Sequence, residues 1–290
     1  MEIKRLSECT FLEYKEAWNR GFEEYYVNME MTLEQLFSRM VYEGLSPEIS
    51  IVAFKEEMPI GIVLNGIRER DGKRIAWNGG TGISPEHRNK GLGKQLMEAT
   101  LRIYEEEKIE VATLEVLLEN KRAISLYEKA GFSRREEIIH YQQEVIIQFP
   151  NLKVRYRAKN VYPHELRQLS IFTENTSWQT RIESVQNGEG VVLFNDRNEA
   201  IAYALFKKKW DGKGKQKNAI YLYQCGFADR ENYESRVQLV KEVFGMSAGY
   251  KYVVNFPAVD QVMVSLFEEM GFKEYIRQVW MERVSSSDAL

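Results

Sequence analysis

Apolar positions in the first half of the chain alternate between helical and strand-like spacing. Phe11, Tyr14, Trp18 and Phe22 fall on one helical face. They follow Thr10, which with Glu13 makes a capping box. Thr32 with Gln35 predicts a second capped helix carrying Leu33, Leu36, Phe37 and Met40. Strands are expected over 49–54 and 60–67, with a turn at Glu57-Met58-Pro59 between them. Asp71-Gly72 predicts a hairpin turn into a strand over 74–83. Leu92, Leu96, Leu101 and Tyr104 define a third helix. A strand over 111–118, a short helix after Asn120 and a strand pair around 138–147 complete this half.

The second half repeats the order of elements more loosely. A strand is expected over 153–158 and a helix near 163–172. Strands over 191–194 and 200–207 flank a turn at Asn195-Asp196-Arg197-Asn198. Asp211-Gly212 turns into a strand over 218–227, followed by a helix over 230–244 and a strand over 250–255. Leu266-Phe267-Glu268-Glu269-Met270-Gly271-Phe272 echoes Leu126-Tyr127-Glu128-Lys129-Ala130-Gly131-Phe132. The expected fold class is α+β: two domains, 1–148 and 152–290, joined at Pro150-Asn151. Each would hold a mixed, mostly antiparallel sheet flanked by helices.

Candidate chemistry begins at Arg88-Asn89-Lys90-Gly91-Leu92-Gly93-Lys94, which reads R-x-x-G-x-G between a strand and a helix. Two glycines two apart let backbone N–H groups approach an anion. The helix start adds its positive dipole end, and Arg88, Lys90 and Lys94 add charge. The stretch is a candidate pyrophosphate cradle. It lacks the G-K-[ST] of a Walker loop and the G-x-G-x-x-G of a Rossmann turn. The second half has Ala228-Asp229-Arg230-Glu231-Asn232-Tyr233-Glu234 at the corresponding place. It offers no glycine pair and puts carboxylates where phosphates would sit, so no cofactor is expected there.

A second segment, L-E-V-x-x-x-N-x-x-A-x-x-L-Y-x-x-x-G-F, runs from Leu114 to Phe132. With the cradle it resembles the GCN5-related N-acetyltransferase (GNAT) family over roughly residues 1–146. The segment looks especially like the ribosomal-protein and N-terminal acetyltransferase branch. The resemblance implies two GNAT-like (acyl-CoA N-acyltransferase) domains, the second degenerate, and acetyl-CoA as acyl donor. It places Arg88 to Lys94 on the pyrophosphate. It places the backbone of Thr81, Gly82 and Ile83 on the acyl carbonyl and pantetheine arm. Asn120 would touch that arm, and it also suits an N-cap. Tyr127 would be the general acid and Glu115 the general base.

Each role has a plainer alternative. Tyr127 could be a core aromatic and Glu115 a salt-bridge partner. The run Trp77-Asn78-Gly79-Gly80-Thr81-Gly82 marks either a bulge or close ligand approach. Strand alternation puts Glu115 with Thr113 and Leu117, opposite Leu114 and Val116. The implied activity is transfer of an acetyl group to a primary amine by direct attack in a ternary complex. The alternative is a non-catalytic CoA-responsive binding or regulatory module. The acceptor would be an amine-bearing small molecule or peptide.

Composition narrows the partners. A net charge of −3 argues against nucleic-acid binding. No apolar run approaches a membrane span, and the first residues lack the apolar region of a signal peptide. Cys9 and Cys225 lie far apart, which suits free thiols in a cytoplasmic protein. Three scattered histidines suggest no metal. A monomer or homodimer is expected.

Overall fold

The computed structural model describes residues 1–153, 155–174, 176–210, 217–245 and 249–285. The expected Asp211-Gly212 turn lies outside the described residues. The chain divides into two units, residues 1–135 with 279–290, and residues 136–278.

The first unit opens with β1 (Glu2–Arg5), α1 (Phe11–Gly21) and α2 (Leu33–Glu43). Both predicted capping boxes form, with Thr10 accepting from the Glu13 N–H and Thr32 from the Gln35 N–H. Then come β2 (Ile51–Lys55), β3 (Met58–Arg70) and β4 (Lys73–Ile83). Asp71 and Gly72 turn β3 into β4 with φ of 50° and 75°, the left-handed pair that this dipeptide favours. Next are α3 (Leu92–Glu106), β5 (Val111–Leu117), α4 (Lys121–Lys129) and the start of β6 (Ser133–Gln143). The strands pair in the order β1-β2-β3-β4-β5. All contacts among them are antiparallel except β4 with β5, which is parallel. Residues 279–284 pair next to β5, and Val279 and Met281 join Leu114, Val116, Tyr127 and Phe132 in the core.

The second unit holds β7 (Arg157–Val161), β8 (Glu189–Phe194), β9 (Ala200–Trp210), β10 (Lys217–Phe227), α5 (Tyr233–Phe244), β11 (Tyr250–Pro257) and α6 (Gln261–Glu269). It also holds the first part of β12 (Lys273–Val284). Its order is β7-β8-β9-β10-β11-β6-β12, and β10 with β11 is again parallel. Ile139 and Tyr141 of β6 sit in this unit's core with Phe256 and Phe267.

Three differences from expectation have physical causes. The units divide at 135/136 and 278/279 rather than near 150, because β6 and β12 each start in one unit and end in the other. The strand pair expected around 138–147 is one strand that ends at Gln143. The helix expected near 163–172 is a single 3₁₀ stretch, Pro163–Gln168, in which only Leu166 is buried. One apolar anchor does not make the recurring stripe that sustains an α-helix.

Candidate active site

The site is built around a fork between two parallel strands. β4 and β5 pair only from Ile75–Val111 to Asn78–Leu114. Beyond Asn78, β4 stays paired with β3 as far as Ile83, so its edge facing β5 carries no ladder from Gly79 onward. Gly79 is an extra residue, since Asn65 faces Asn78 and Leu64 faces Gly80. This β-bulge turns the Asn78 side chain back along its own strand. Its Oδ1 accepts from the Gly80 N–H at 3.1 Å, and its Nδ2 donates to Thr81 Oγ1 at 2.9 Å.

The glycine run is filled largely by protein. A Cβ on Gly80 would lie 2.9 Å from the Trp18 ring, and one on Gly82 would lie 2.9 Å from Phe22 and from the Gly21 backbone. The bulge at Gly79 and the approach of α1 at Gly80 and Gly82 therefore account for the three small residues.

The cradle closes over the start of α3. Asn89 and Gly91 are left-handed, with φ of 61° and 82°. Nothing lies within 4 Å of a Cβ built on Gly91. A Cβ on Gly93 would sit 3.1 Å from Leu126, so this glycine lets α3 approach α4 closely. Leu92 is buried, whereas Asn89, Lys90 and Lys94 are exposed. The Lys94 ammonium lies 3.6 Å from Glu98.

Arg88 points elsewhere. It donates to the Ile83 carbonyl at 2.8 Å and to the carbonyls of Gly21 and Glu23. There its charge complements the negative end of α1.

Among the described α-helices, five carry a side-chain N-cap: Thr10, Thr32, Asn120, Asn232 and Asp260. Helix α3 does not. Its first-turn N–H groups lack the side-chain partner that the other helices supply. Beside this end, α3 and α4 enclose a cleft of about 630 Å³, a size usual for small ligands. Lys94, Arg122 and Lys129 surround an apolar floor of Met97, Leu101 and Leu126.

Tyr127 stands at the root of the fork. It is a buried residue of α4, shares a core cluster with Met97 and Tyr104 of α3, and meets Phe132 edge-on at 6.1 Å. Burial pushes its pKa up to about 12, against a smaller lowering effect of the Thr81 side chain. Asn120 caps α4 as predicted, accepting from the Ala123 N–H at 3.1 Å. Tyr25, like Tyr127, has its pKa raised mainly by burial, and the Asn120 side chain lowers it.

Glu115 lies on the other face of β5. Its Oε2 accepts from the Trp77 indole N–H at 2.6 Å, while Leu114 and Val116 pack with Tyr127. The structure thus gathers Thr81, Asn120 and Tyr127 around one fork and sets Gly91 to Lys94 at its mouth. Arg88 is turned to α1, and Glu115 to Trp77. Sequence reasoning left Trp77, Asn78, Tyr25 and the Arg122–Lys129 pair out of the site. Asn78 had one visible signal, a polar residue opening a glycine run in a strand.

The corresponding fork of the second unit is closed. Strands β10 and β11 pair from Ala219–Tyr250 to Leu222–Val253. Past that point the 3₁₀ turn Trp178–Thr180 packs against both strands. Gln224 donates to the Thr180 carbonyl at 2.7 Å, and Asn255 donates to Ser177 Oγ at 3.0 Å. At the start of α5, Asn232 Oδ1 accepts from the Ser235 N–H at 3.0 Å. Phe267 holds the place of Tyr127 and is fully buried. Among the described residues, no group of three or more His, Cys, Asp or Glu side chains is placed to hold a metal. No described helix is long and apolar enough to cross a membrane.

Comparison with known proteins adds the lineage. Residues 5–132 match the profile of the Acetyltransferase (GNAT) family. A mycothiol acetyltransferase of Propionibacterium freudenreichii subsp. shermanii is 30% identical over 104 residues, 36% of this chain and 33% of that protein. A mycothiol acetyltransferase of Catenulispora acidiphila is 27% identical over 138 residues, 44% of this chain and 43% of that one. The chain thus matches less than half the length of either protein. N-alpha-acetyltransferase 30 of Schizosaccharomyces pombe is 26% identical over 117 residues, 39% of this chain and 78% of that protein. Among solved structures, a tandem GNAT protein from the clavulanic acid biosynthesis pathway aligns over 99% of this chain and all of its own, with a TM-score of 0.65 and 12% identity. A GCN5-related N-acetyltransferase from Sphaerobacter thermophilus covers 98% of this chain and 95% of its own, with a TM-score of 0.66 and 11% identity.

Proposed function

From the match of residues 5–132 to the Acetyltransferase (GNAT) family we propose that the chain is a tandem GNAT protein and that its first unit is an acetyl-CoA-dependent N-acetyltransferase. The observation that carries this reading is the uncapped start of α3, open at Gly91 and set beside the forked strands. When bound, acetyl-CoA supplies an acetyl group activated as a thioester. The N–H groups of Gly91 to Lys94 would hold its pyrophosphate, with the charges of Lys90 and Lys94. Lys94, Arg122 and Lys129 suit the anionic nucleotide end over the α3–α4 cleft. The unladdered edge of β4 at Thr81 to Ile83 would hold the acyl arm, beside Asn120.

Tyr127 acts as the acid in this reading. With its pKa near 12 it stays protonated at neutral pH, so its proton is available to the leaving sulfur. Glu115 acts as the base for an amine arriving on the opposite face of β5, and the Trp77 indole holds its carboxylate there. Direct attack in a ternary complex is favoured over a covalent thioester on the enzyme. Burial raises the Cys9 thiol to about 11 and raises Cys225 as well, which leaves neither as a ready thiolate. The acceptor is a primary amine on a small molecule or peptide.

The test is thiol release from acetyl-CoA against ethanolamine, glucosamine, spermidine and a peptide α-amine. Replacing Tyr127 by Phe should cut kcat at least tenfold while acetyl-CoA binding stays intact. Unchanged kcat would remove Tyr127 from the mechanism. Acetyl-CoA binding without turnover on any amine would favour a CoA-responsive binding module.

A further inference from the structure

Gly79 and Gly80 share one peptide group, and side chains hold both of its polar ends. The Gly79 carbonyl accepts from the Arg39 guanidinium of α2 at 2.8 Å. The Gly80 N–H donates to Asn78 Oδ1 at 3.1 Å. Two glycines in sequence leave the backbone between them free to rotate. The bulge adds to that freedom, because Gly79 has no residue opposite it in β3. Past Asn78 no ladder with β5 restrains the strand from its other side. Arg39 is itself firmly held. Its guanidinium meets the Glu43 carboxylate one turn along α2, with Nε at 2.8 Å and a terminal nitrogen at 2.7 Å. It also lies over the Trp18 ring, 4.9 Å from the centroid. Trp18 is fully buried and donates its indole N–H to the Met29 carbonyl at 2.7 Å. The Arg39 side chain is only 15% exposed, so its charge-assisted bond to the Gly79 carbonyl is little weakened by water.

We infer that Arg39 is a positioning residue for the acyl site: it locks the Gly79–Gly80 peptide and so aligns the backbone of Thr81 to Ile83, which follows on the open edge of β4. This inference rests on the reading of that edge as the place of the acyl arm. In this role a side chain on α2 governs the rate without touching acetyl-CoA. A thioester carbonyl must sit within a fraction of an ångström of its productive position, and a peptide free to turn cannot hold it there. The plainer role for Arg39 is an ion pair that steadies α2. That role predicts a different pattern, because Arg39 and Glu43 would then matter equally.

Two variants separate the roles. Arg39→Met keeps an apolar stem over Trp18 and removes the donor. Glu43→Gln removes the carboxylate and leaves Arg39 its bond to Gly79. The first readout is amide hydrogen exchange of the free protein with glycine-selective ¹⁵N labelling. Gly80 should exchange about tenfold faster in Arg39→Met and within about twofold of the parent in Glu43→Gln. The second readout is turnover with the best amine of the panel above. Arg39→Met should lower kcat about tenfold, and Glu43→Gln should keep it within about twofold. The Kd for CoA itself, which has no acyl group, should stay within about twofold in both. If Arg39→Met does not fold, the double variant Arg39→Met with Glu43→Leu leaves no carboxylate unpaired and carries the same tests. An unchanged Gly80 exchange rate in the folded variant, or an equal loss of kcat in Arg39→Met and Glu43→Gln, would overturn the inference. A parent protein that binds no acetyl-CoA would instead strike the acetyl-donor reading, while the Gly80 exchange rate would still decide whether Arg39 holds the peptide.

Discussion

The same succession of strand, helix and strand is built twice in this chain, and the two copies treat the start of the helix and the fork beside it in opposite ways. In the second unit the start of α5 is capped by Asn232, and Ser235 Oγ donates back to the Asn232 carbonyl at 2.9 Å. The fork between β10 and β11 is occupied by Ser177 to Thr180, held by Gln224 and Asn255. In the first unit the start of α3 has no side-chain cap, and the edge of β4 that faces β5 is unpaired past Asn78. The difference teaches that the fold does not itself make a binding site. A site exists where backbone donors are left without internal partners, and it closes where the chain supplies those partners itself.

This contrast can be broken from either side. The largest effect should come from Trp178→Ala. Trp178 is fully buried at the closed fork, so its loss should destabilise the protein by about 3–5 kcal/mol in denaturant unfolding. Acetyl-CoA binding should stay at one site. A second site appearing in this variant would show that the 3₁₀ turn alone keeps the second unit from binding.

Next in size is Gly91→Asp, which brings a carboxylate to the open start of α3. Asp tolerates a left-handed φ and meets no neighbour there, so the fold should survive with its Tm within a few degrees. Acetyl-CoA affinity should fall about 100-fold, roughly 2.7 kcal/mol, through charge repulsion and competition for the N–H groups. Retained affinity in a folded variant would separate the cradle from the phosphate. The smallest effect is expected from Asn232→Ala. Removing that cap should cost about 1 kcal/mol of stability and leave acetyl-CoA binding untouched.

Much of the contrast was legible in the sequence, and the parts that were not share a cause. Local signals read well: both capping boxes, the Asp71-Gly72 turn and the Asn120 cap are all formed by residues within three positions of each other. Alternation along 111–118 also separated Glu115 from Leu114 and Val116, which the structure bears out. Partners distant in sequence were hidden. Arg88 reads as a phosphate ligand because of its charge, yet it binds carbonyls at 21 and 23, more than 60 positions away. Ile139 and Tyr141 fall within an expected strand, but the pattern does not tell that they complete the second unit's core while Val279 and Met281 complete the first. The segment that closes the second fork has no apolar period, so no element is expected there from sequence. The glycine run signalled a bulge or a close approach, but not that a bulge at Gly79 would bring Asn78 onto Thr81.

The most direct test of the whole account is a calorimetric titration of the intact chain with acetyl-CoA. One site per chain is the predicted result, because one helix start is open and its counterpart is capped. Two sites per chain would contradict the closure of the second unit, and no binding would contradict the cradle itself.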